Sequence, residues 1–561
     1  MKRSRQFILP VLTAGLCWLF YLFTSEPYLY TDNVGVAVVL DGFYSNPLSQ
    51  YQHPVFCLLV YALSEILPSG DMFTTVMHLL IFAELYVLMM MLPRRTLEKK
   101  IRNWQLTDLL IVMVSLLFCV FLSAGLNLWR ANYTITAASL LFTGWIVLVD
   151  SRNHLSNSAR DIIGILLIAF GYMIRKEAGL LFLPFIALTL VEELLTKHRN
   201  GISYRDVLLR YFPAFAVIVL LIASQNVFNT IEPYATAKRY NDVRTAMVDF
   251  PVKSWDEGDP TFSGIEKEDY IAATNWLFSD TEVMNVETLS EMAEKGWRNE
   301  YSFSIDGFQK AMNRMYRIAA KTDVYMTVMV LLCGILAGWN VISQKSGWMR
   351  LIAVCGVIGA LIILFYFTFR GRAPLRVWQP VLFGVLYLET ALILIGEKRV
   401  GHTAQNVFLL LVAAVLYYSA GQVIAHTEFH SPHTVLTARD NVDDSAYEHT
   451  FRDDDLYIWP NWHAEIPKYF GEMGKLATRR VLEHNIALGD WTSGQPYYME
   501  FLEQIGHPNP IKDLVEKPNV YIMSNSAYIL EFLRLHYGEE IELTEAGQVN
   551  GVTAYQVKTE K

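Results

Sequence analysis

Two carboxylates, Asp32 and Asp41, stand in the run YTDNVGVAVVLDGFYSNPLSQYQHPVF (30–56), which contains no lysine or arginine. A carboxylate with no cation beside it in sequence keeps its lone pairs for other work, and at a membrane surface it could serve as a general base. One base suffices, and Asp41-Gly42 reads equally as an ordinary turn pair, so Asp32 is the favoured candidate. Asp32 also fits a helix N-cap ahead of VGVAVVL. His53, directly before Pro54, would set an imidazole beside a substrate or mark only the start of a helix.

A second set of residues is basic: Arg130 in LNLWRANYT, Arg175 and Lys176 in YMIRKEAG, and Arg370, Arg372 and Arg376 in FRGRAPLRVWQP. All six lie at the ends of apolar runs on the side where the chain is otherwise poor in Lys and Arg. Guanidinium forks match phosphate oxygens two at a time, so loops that bring several of these together would hold a phosphate group. The competing account is that they snorkel to lipid headgroups or pair with local acids such as Glu177.

The elements that must position these residues are membrane spans. The chain is 53% hydrophobic and 13% aromatic over 561 residues, which predicts a polytopic α-helical membrane protein. Residues 7–24 follow Lys2, Arg3 and Arg5 without a small-residue cleavage pattern and read as an uncleaved anchor with the N-terminus inside. Further spans are expected at 72–92, 106–125, 133–150, 161–174, 178–195, 207–226, 323–342, 350–369, 377–395 and 405–424, about eleven in all. The segment PVFCLLVYALSEIL is too short to cross and is expected in the interface. With the N-terminus inside, the short inner segments carry 17 Lys and Arg and the short outer ones six. That asymmetry predicts a cytoplasmic N-terminus and puts the loops 25–71 and 227–322 and the C-terminal 425–561 on the outer face.

Two polar parts complete the chain. Residues 227–322 are expected as a helical outer loop within the transmembrane domain (1–424), behind Ser and Thr caps. Residues 425–561 open with a polar linker (431–455) and continue through RRVLEHNIALGDW, NVYIMSN, AYILEFLRLHY and GVTAYQVKT, which predicts a separate extracytoplasmic α/β domain. The net charge of −9 divides into −11 on residues 425–561, −5 on 227–322 and +7 elsewhere. A basic membrane part with acidic soluble parts argues against nucleic acid as a partner. The five cysteines fall in or beside apolar runs and form no disulfide or zinc pattern. The clusters Asp443-Asp444 and Asp453-Asp454-Asp455 lack calcium-loop spacing, and no P-loop, GxSxG, HExxH or dinucleotide fingerprint occurs. No cofactor is expected, though the site is compatible with a divalent cation.

The early Asp32, Gly42 and the His53-Pro54 step before the second span resemble the first outer loop of the GT-C glycosyltransferases, with Asn33 in place of the usual acidic neighbour. The chain is similar to bacterial membrane proteins of that superfamily rather than to oligosaccharyltransferases, whose Trp-Trp-Asp signature it lacks. The resemblance implies a multi-pass plasma-membrane enzyme of the cell envelope. It implies inverting transfer of a sugar from a polyprenyl-phosphate donor to a glycan, lipid or protein acceptor on the outer face. Asp32, with Asp41 as the second choice, would then be the base, and the six cations and His53 would hold the donor phosphate among membrane lipids. Two other classes compete: a polysaccharide polymerase or ligase using a diphosphate-linked donor, and a lipid or glycan transporter. Large acidic outer parts and the lack of matched broken helices weigh against the transporter.

Overall fold

The computed structural model describes residues 11–19, 31–44, 46–67, 72–91, 104–128, 132–150, 158–199, 203–322, 324–426, 452, 454–460, 479–549 and 552–559. Among the described residues, eight helices are long and apolar enough to cross a membrane: Met72–Met90, Leu106–Ser123, Lys176–Thr196, Tyr211–Phe228, Val324–Ser343, Gly347–Phe369, Leu375–Ile395 and His402–Gln422. The chain is therefore a polytopic helical membrane protein. The expected spans at 133–150 and 161–174 are helices as well, apolar but shorter. Of the anchor at 7–24, residues 11–19 are described and helical. The segment expected in the interface forms the 13-residue helix Pro54–Ile66.

At the centre lies Leu375–Ile395, buried on nearly every side from Trp378 to Leu388, as its all-round apolar sequence dictates. Tyr133–Asp150 packs on Ser158–Ile174 through facing glycines: a Cβ at Gly144 would meet the Gly164 carbonyl oxygen at 2.7 Å. Small residues let two backbones approach where lipid supplies no hydrophobic drive. Polar clasps tie other helices. Glu84 accepts hydrogen bonds from Ser139 and Thr143, both at 2.9 Å, and Asn340 donates to Glu389 at 2.7 Å. Four cysteines are buried, as their apolar settings predict, but Cys355 is exposed on Gly347–Phe369, on a face that points out of the bundle.

The loop 227–322 is helical as expected, with helices Tyr234–Val248, Lys267–Thr274, Val286–Gly296 and Ile305–Lys321. Asn285 and Ser304 cap the last two. The C-terminal part carries a five-stranded mixed sheet in the order β2-β1-β3-β5-β4, from strands Leu456–Trp459 (β1), Asn485–Ala487 (β2), Val520–Ile522 (β3), Ile541–Val549 (β4) and Val552–Thr559 (β5). β1 runs parallel to β2 and β3, and β4–β5 is an antiparallel hairpin at one edge. The sequence divides these two polar parts between domains, but in the structure they touch. Ser279 donates to the Ala487 carbonyl at 2.7 Å, Asn509 donates to Asp280 at 3.1 Å, and His536 meets Asp269 at 2.6 Å.

Candidate functional site

A cavity of about 490 Å³ opens at one end of the helix bundle, beneath the polar parts. Helix ends build its floor. Arg175 and Lys176 stand where Ser158–Ile174 turns into Lys176–Arg199, and Arg372 and Arg376 where Gly347–Phe369 turns into Leu375–Ile395. The start of Tyr133–Asp150 adds Tyr133, and Asn229 caps Tyr204–Phe228. The roof comes from other parts of the chain: Tyr51 from the 30–56 run, Arg244, Asp249 and Trp276 from the 227–322 loop, and Trp491 from the C-terminal part.

The lining carries six cations (Arg175, Lys176, Lys238, Arg244, Arg372 and Arg376) and three acids (Glu177, Asp242 and Asp249), an excess of three positive charges. Each acid is already paired. Glu177 meets Arg175 at 2.9 Å, Asp249 meets Arg372 at 2.8 Å, and Asp242 holds Lys238. Burial pushes the Arg372 guanidinium below its ordinary value; Asp249 opposes this, while Arg376 and Arg175 add to it. Arg372 thus feels a guanidinium group from its own helix turn and one from the turn at Arg175, and an anion placed beside it would relieve that repulsion. Tyr51 stands between cations: the Arg175 guanidinium lies 5.8 Å from its ring centroid and Arg244 Nη2 donates to its hydroxyl at 3.0 Å. Burial raises the Tyr51 phenol to about 12, with Arg244 and Arg175 pulling the other way.

The turn that presents Trp276 is strained. The helix Lys267–Thr274 ends with Trp276 N–H bonded to the Ala273 carbonyl at 3.2 Å and Leu277 N–H to that of Ala272 at 3.0 Å. That double bond pattern requires a left-handed residue, normally glycine, at the position Trp276 holds with φ 66°. A side chain there costs roughly 1–2 kcal/mol. The strain places an indole on the cavity wall.

The structure brings four of the nine sequence-predicted site residues to this cavity: Arg175, Lys176, Arg372 and Arg376. Asp32 lies in the first turn of the helix Thr31–Leu40, one turn before Val36, which lines the cavity. Arg130 lies outside the described residues. The remaining three sit elsewhere, each for a physical reason. Asp41 accepts backbone N–H bonds from Met72 and Phe73, both at 3.1 Å, and so caps the helix Met72–Met90. Its neighbour Gly42 turns the chain at φ +82°, where a Cβ would meet the Tyr61 ring at 2.5 Å. His53 caps Pro54–Ile66 through Nδ1, which accepts from Val55 N–H at 3.2 Å. The proton is therefore on Nε2, facing Ser224 Oγ at 2.9 Å and the Leu221 carbonyl at 3.2 Å. Burial holds this imidazole below its ordinary value, with the Leu221 bond opposing. Arg370 donates to Asn299 at 2.7 Å and stacks 4.4 Å from the Trp297 ring centroid, riveting the span end to the 227–322 loop.

Sequence reasoning missed Arg244, Tyr51, Trp276 and Trp491. Arg244 carried a usable signal: on Tyr234–Val248 the buried stripe runs Ala237, Tyr240, Arg244, Met247, so an arginine occupies a core position of an amphipathic helix. No protein-family model, curated protein or solved structure matches the chain.

Proposed function

We propose that the protein is a glycosyltransferase of the GT-C kind, moving a sugar from a polyprenyl-phosphate donor to a cell-envelope acceptor on the outer face of the plasma membrane. The observation that carries this is the crowding of Arg175, Arg372 and Arg376 at helix ends, where a lipid-borne phosphate meets the cavity while its chain stays in the bilayer. In the proposed reaction Asp32 takes the proton of an acceptor hydroxyl or amine. The acceptor atom bonds to the anomeric carbon, the carbon–oxygen bond to phosphate breaks, and the arginines hold the departing phosphate charge. The N-terminus is then cytoplasmic, and the 227–322 loop and C-terminal part lie outside.

The test is donor-lipid binding by the purified chain, read by isothermal titration with a polyprenyl monophosphate. Arg372→Gln with Arg376→Gln is expected to weaken binding at least tenfold, since hydrogen bonds to charged groups contribute roughly 1.5–3 kcal/mol each. Failure of the wild-type chain to bind the lipid, or unchanged binding by the double variant, would overturn the proposal.

A further inference from the structure

One cavity cation has hydrogen-bonding capacity that no described residue takes up. Arg244 is 3% exposed, and its Nη2 donates to Tyr51 Oη at 3.0 Å and Asn241 Oδ1 at 2.8 Å. Its guanidinium lies 5.6 Å from the Trp276 ring centroid. Those three partners are neutral. The N–H groups of Nε and Nη1 are buried with no acceptor among the described residues. Arg175 and Arg372, by contrast, each have a carboxylate within 3 Å. A buried guanidinium left with neutral neighbours and unused donors destabilises the fold unless something else supplies the charge and the acceptors.

The surroundings are built from three separated parts of the chain. The helix Tyr234–Val248 supplies Arg244 on its buried stripe, and the strained turn after Lys267–Thr274 supplies the Trp276 face. The 30–56 run supplies Tyr51, whose hydroxyl lies 3.1 Å from the Trp491 carbonyl and whose ring meets the Trp491 indole edge-on at 5.1 Å. Tyr51 touches both cations, its ring beside the Arg175 guanidinium and its hydroxyl on Arg244 Nη2, so an aromatic side chain lies against each.

We propose that Arg244 forms a second oxyanion subsite, which takes a phosphate or carboxylate that the donor's first phosphate does not provide. Two substrates could bring it: a diphosphate-linked donor through its second phosphate, or an acceptor saccharide through an acid group. The assignment of the oxyanion to one of these rests on the glycosyl-transfer proposal. The subsite itself rests on Arg244 alone.

The experiment is isothermal titration of the full-length chain in detergent with a polyprenyl monophosphate, the matching diphosphate and glucuronate. For Arg244→Gln the expected result is monophosphate affinity within about twofold of wild type, with at least a tenfold loss for the diphosphate or for glucuronate, because charge-assisted bonds contribute more than neutral ones. Loss confined to the diphosphate assigns the donor, and loss confined to glucuronate assigns an acidic acceptor. Arg244→Lys keeps the charge but not the planar fork. It carries the same expectation if the glutamine variant does not fold. The subsite is overturned if wild type binds neither diphosphate more tightly than monophosphate nor glucuronate at all, or if the folded variant binds all three as wild type does or loses all three equally. A wild-type chain that binds glucuronate through Arg244 but no polyprenyl lipid would retain the subsite and remove the glycosyltransferase.

Discussion

Asp32 and Asp41 share one arginine-free run, and the structure gives Asp41 a capping role. Asp41 spends both oxygens on the first turn of Met72–Met90, and burial lifts its carboxyl from 3.8 to about 7, against those two backbone donors. Its folded-state value is the higher one, so the native chain holds that proton more tightly than the unfolded chain does. The contribution is most favourable below the ordinary value and is lost as pH rises to about 7. Asp41→Asn is therefore expected to gain in apparent melting temperature relative to wild type as pH climbs through that window, and to stay level above it. A difference independent of pH would contradict this. Sugar transfer by Asp41→Asn should stay near normal, whereas Asp32→Asn is expected to fold normally yet lose on the order of a hundredfold in transfer rate. Near-normal transfer by purified Asp32→Asn would move the role to Asp249, which lines the cavity. The Asp41-Gly42 turn was legible from the residues themselves, but the carboxylate's partner lies 31 residues on and left no local trace. The same holds for Arg244: its place on the stripe was visible, but Tyr51 and Trp276, two of its three neutral partners, come from distant parts of the chain.

Hydropathy located eight of the expected spans because bilayer thickness sets their length, while the helices at Tyr133–Asp150 and Ser158–Ile174 are apolar but fall short of that length. The glycine crossing was not legible, since an isolated Gly in an apolar helix does not name its partner. Replacing Gly144 by Leu is expected to lower apparent melting temperature and yield, because overpacking typically costs about 1–3 kcal/mol and the obstacle at 2.7 Å is backbone. Wild-type stability would contradict that close approach. The contact between Lys267–Thr274 and Ala527–Tyr537 rests partly on His536 and Asp269 at 2.6 Å. The hydrogen bond to Asp269 raises the imidazole above its ordinary 6.5, with burial opposing. That contribution is complete below the ordinary value and disappears as pH rises through the folded-state value. Amide exchange in both helices is expected to be faster at about pH 9 than at about pH 6, after correction for intrinsic rates, and His536→Gln should remove the difference. Equal protection at both pH values would remove His536 from the interface.

Across the whole molecule, the ends of helices at residues 133, 174, 228, 369 and 375 meet at one face, and the polar parts cover that face. The pairing of Lys345 with Glu397 and the bridge between Gln344 and Lys398 lie between turns that join the far ends of the same helices. Helix direction therefore alternates across the bundle, and the 17 to six asymmetry in Lys and Arg is what predicts which face is outside. A reporter fused after Ile424 is expected to be active outside, and one after Arg95 inside; an outside signal at Arg95 would reverse the orientation. The joining of the 227–322 loop to the C-terminal part was not legible, because Ser279 and its acceptor, the backbone carbonyl of Ala487, are 208 residues apart and a main-chain acceptor leaves no side-chain signature. Together those parts roof a cationic cavity at the ends of the apolar helices, where the proposed transfer takes place. The direct measurement is loss of labelled sugar from a polyprenyl-phosphate donor when the purified chain, in lipid nanodiscs, is mixed with a cell-envelope extract. Wild type is expected to move label from lipid to acceptor, and Asp32→Asn to bind the donor yet leave the label in place; label that stays on the lipid with wild type, or leaves it equally fast with the variant, would contradict the account.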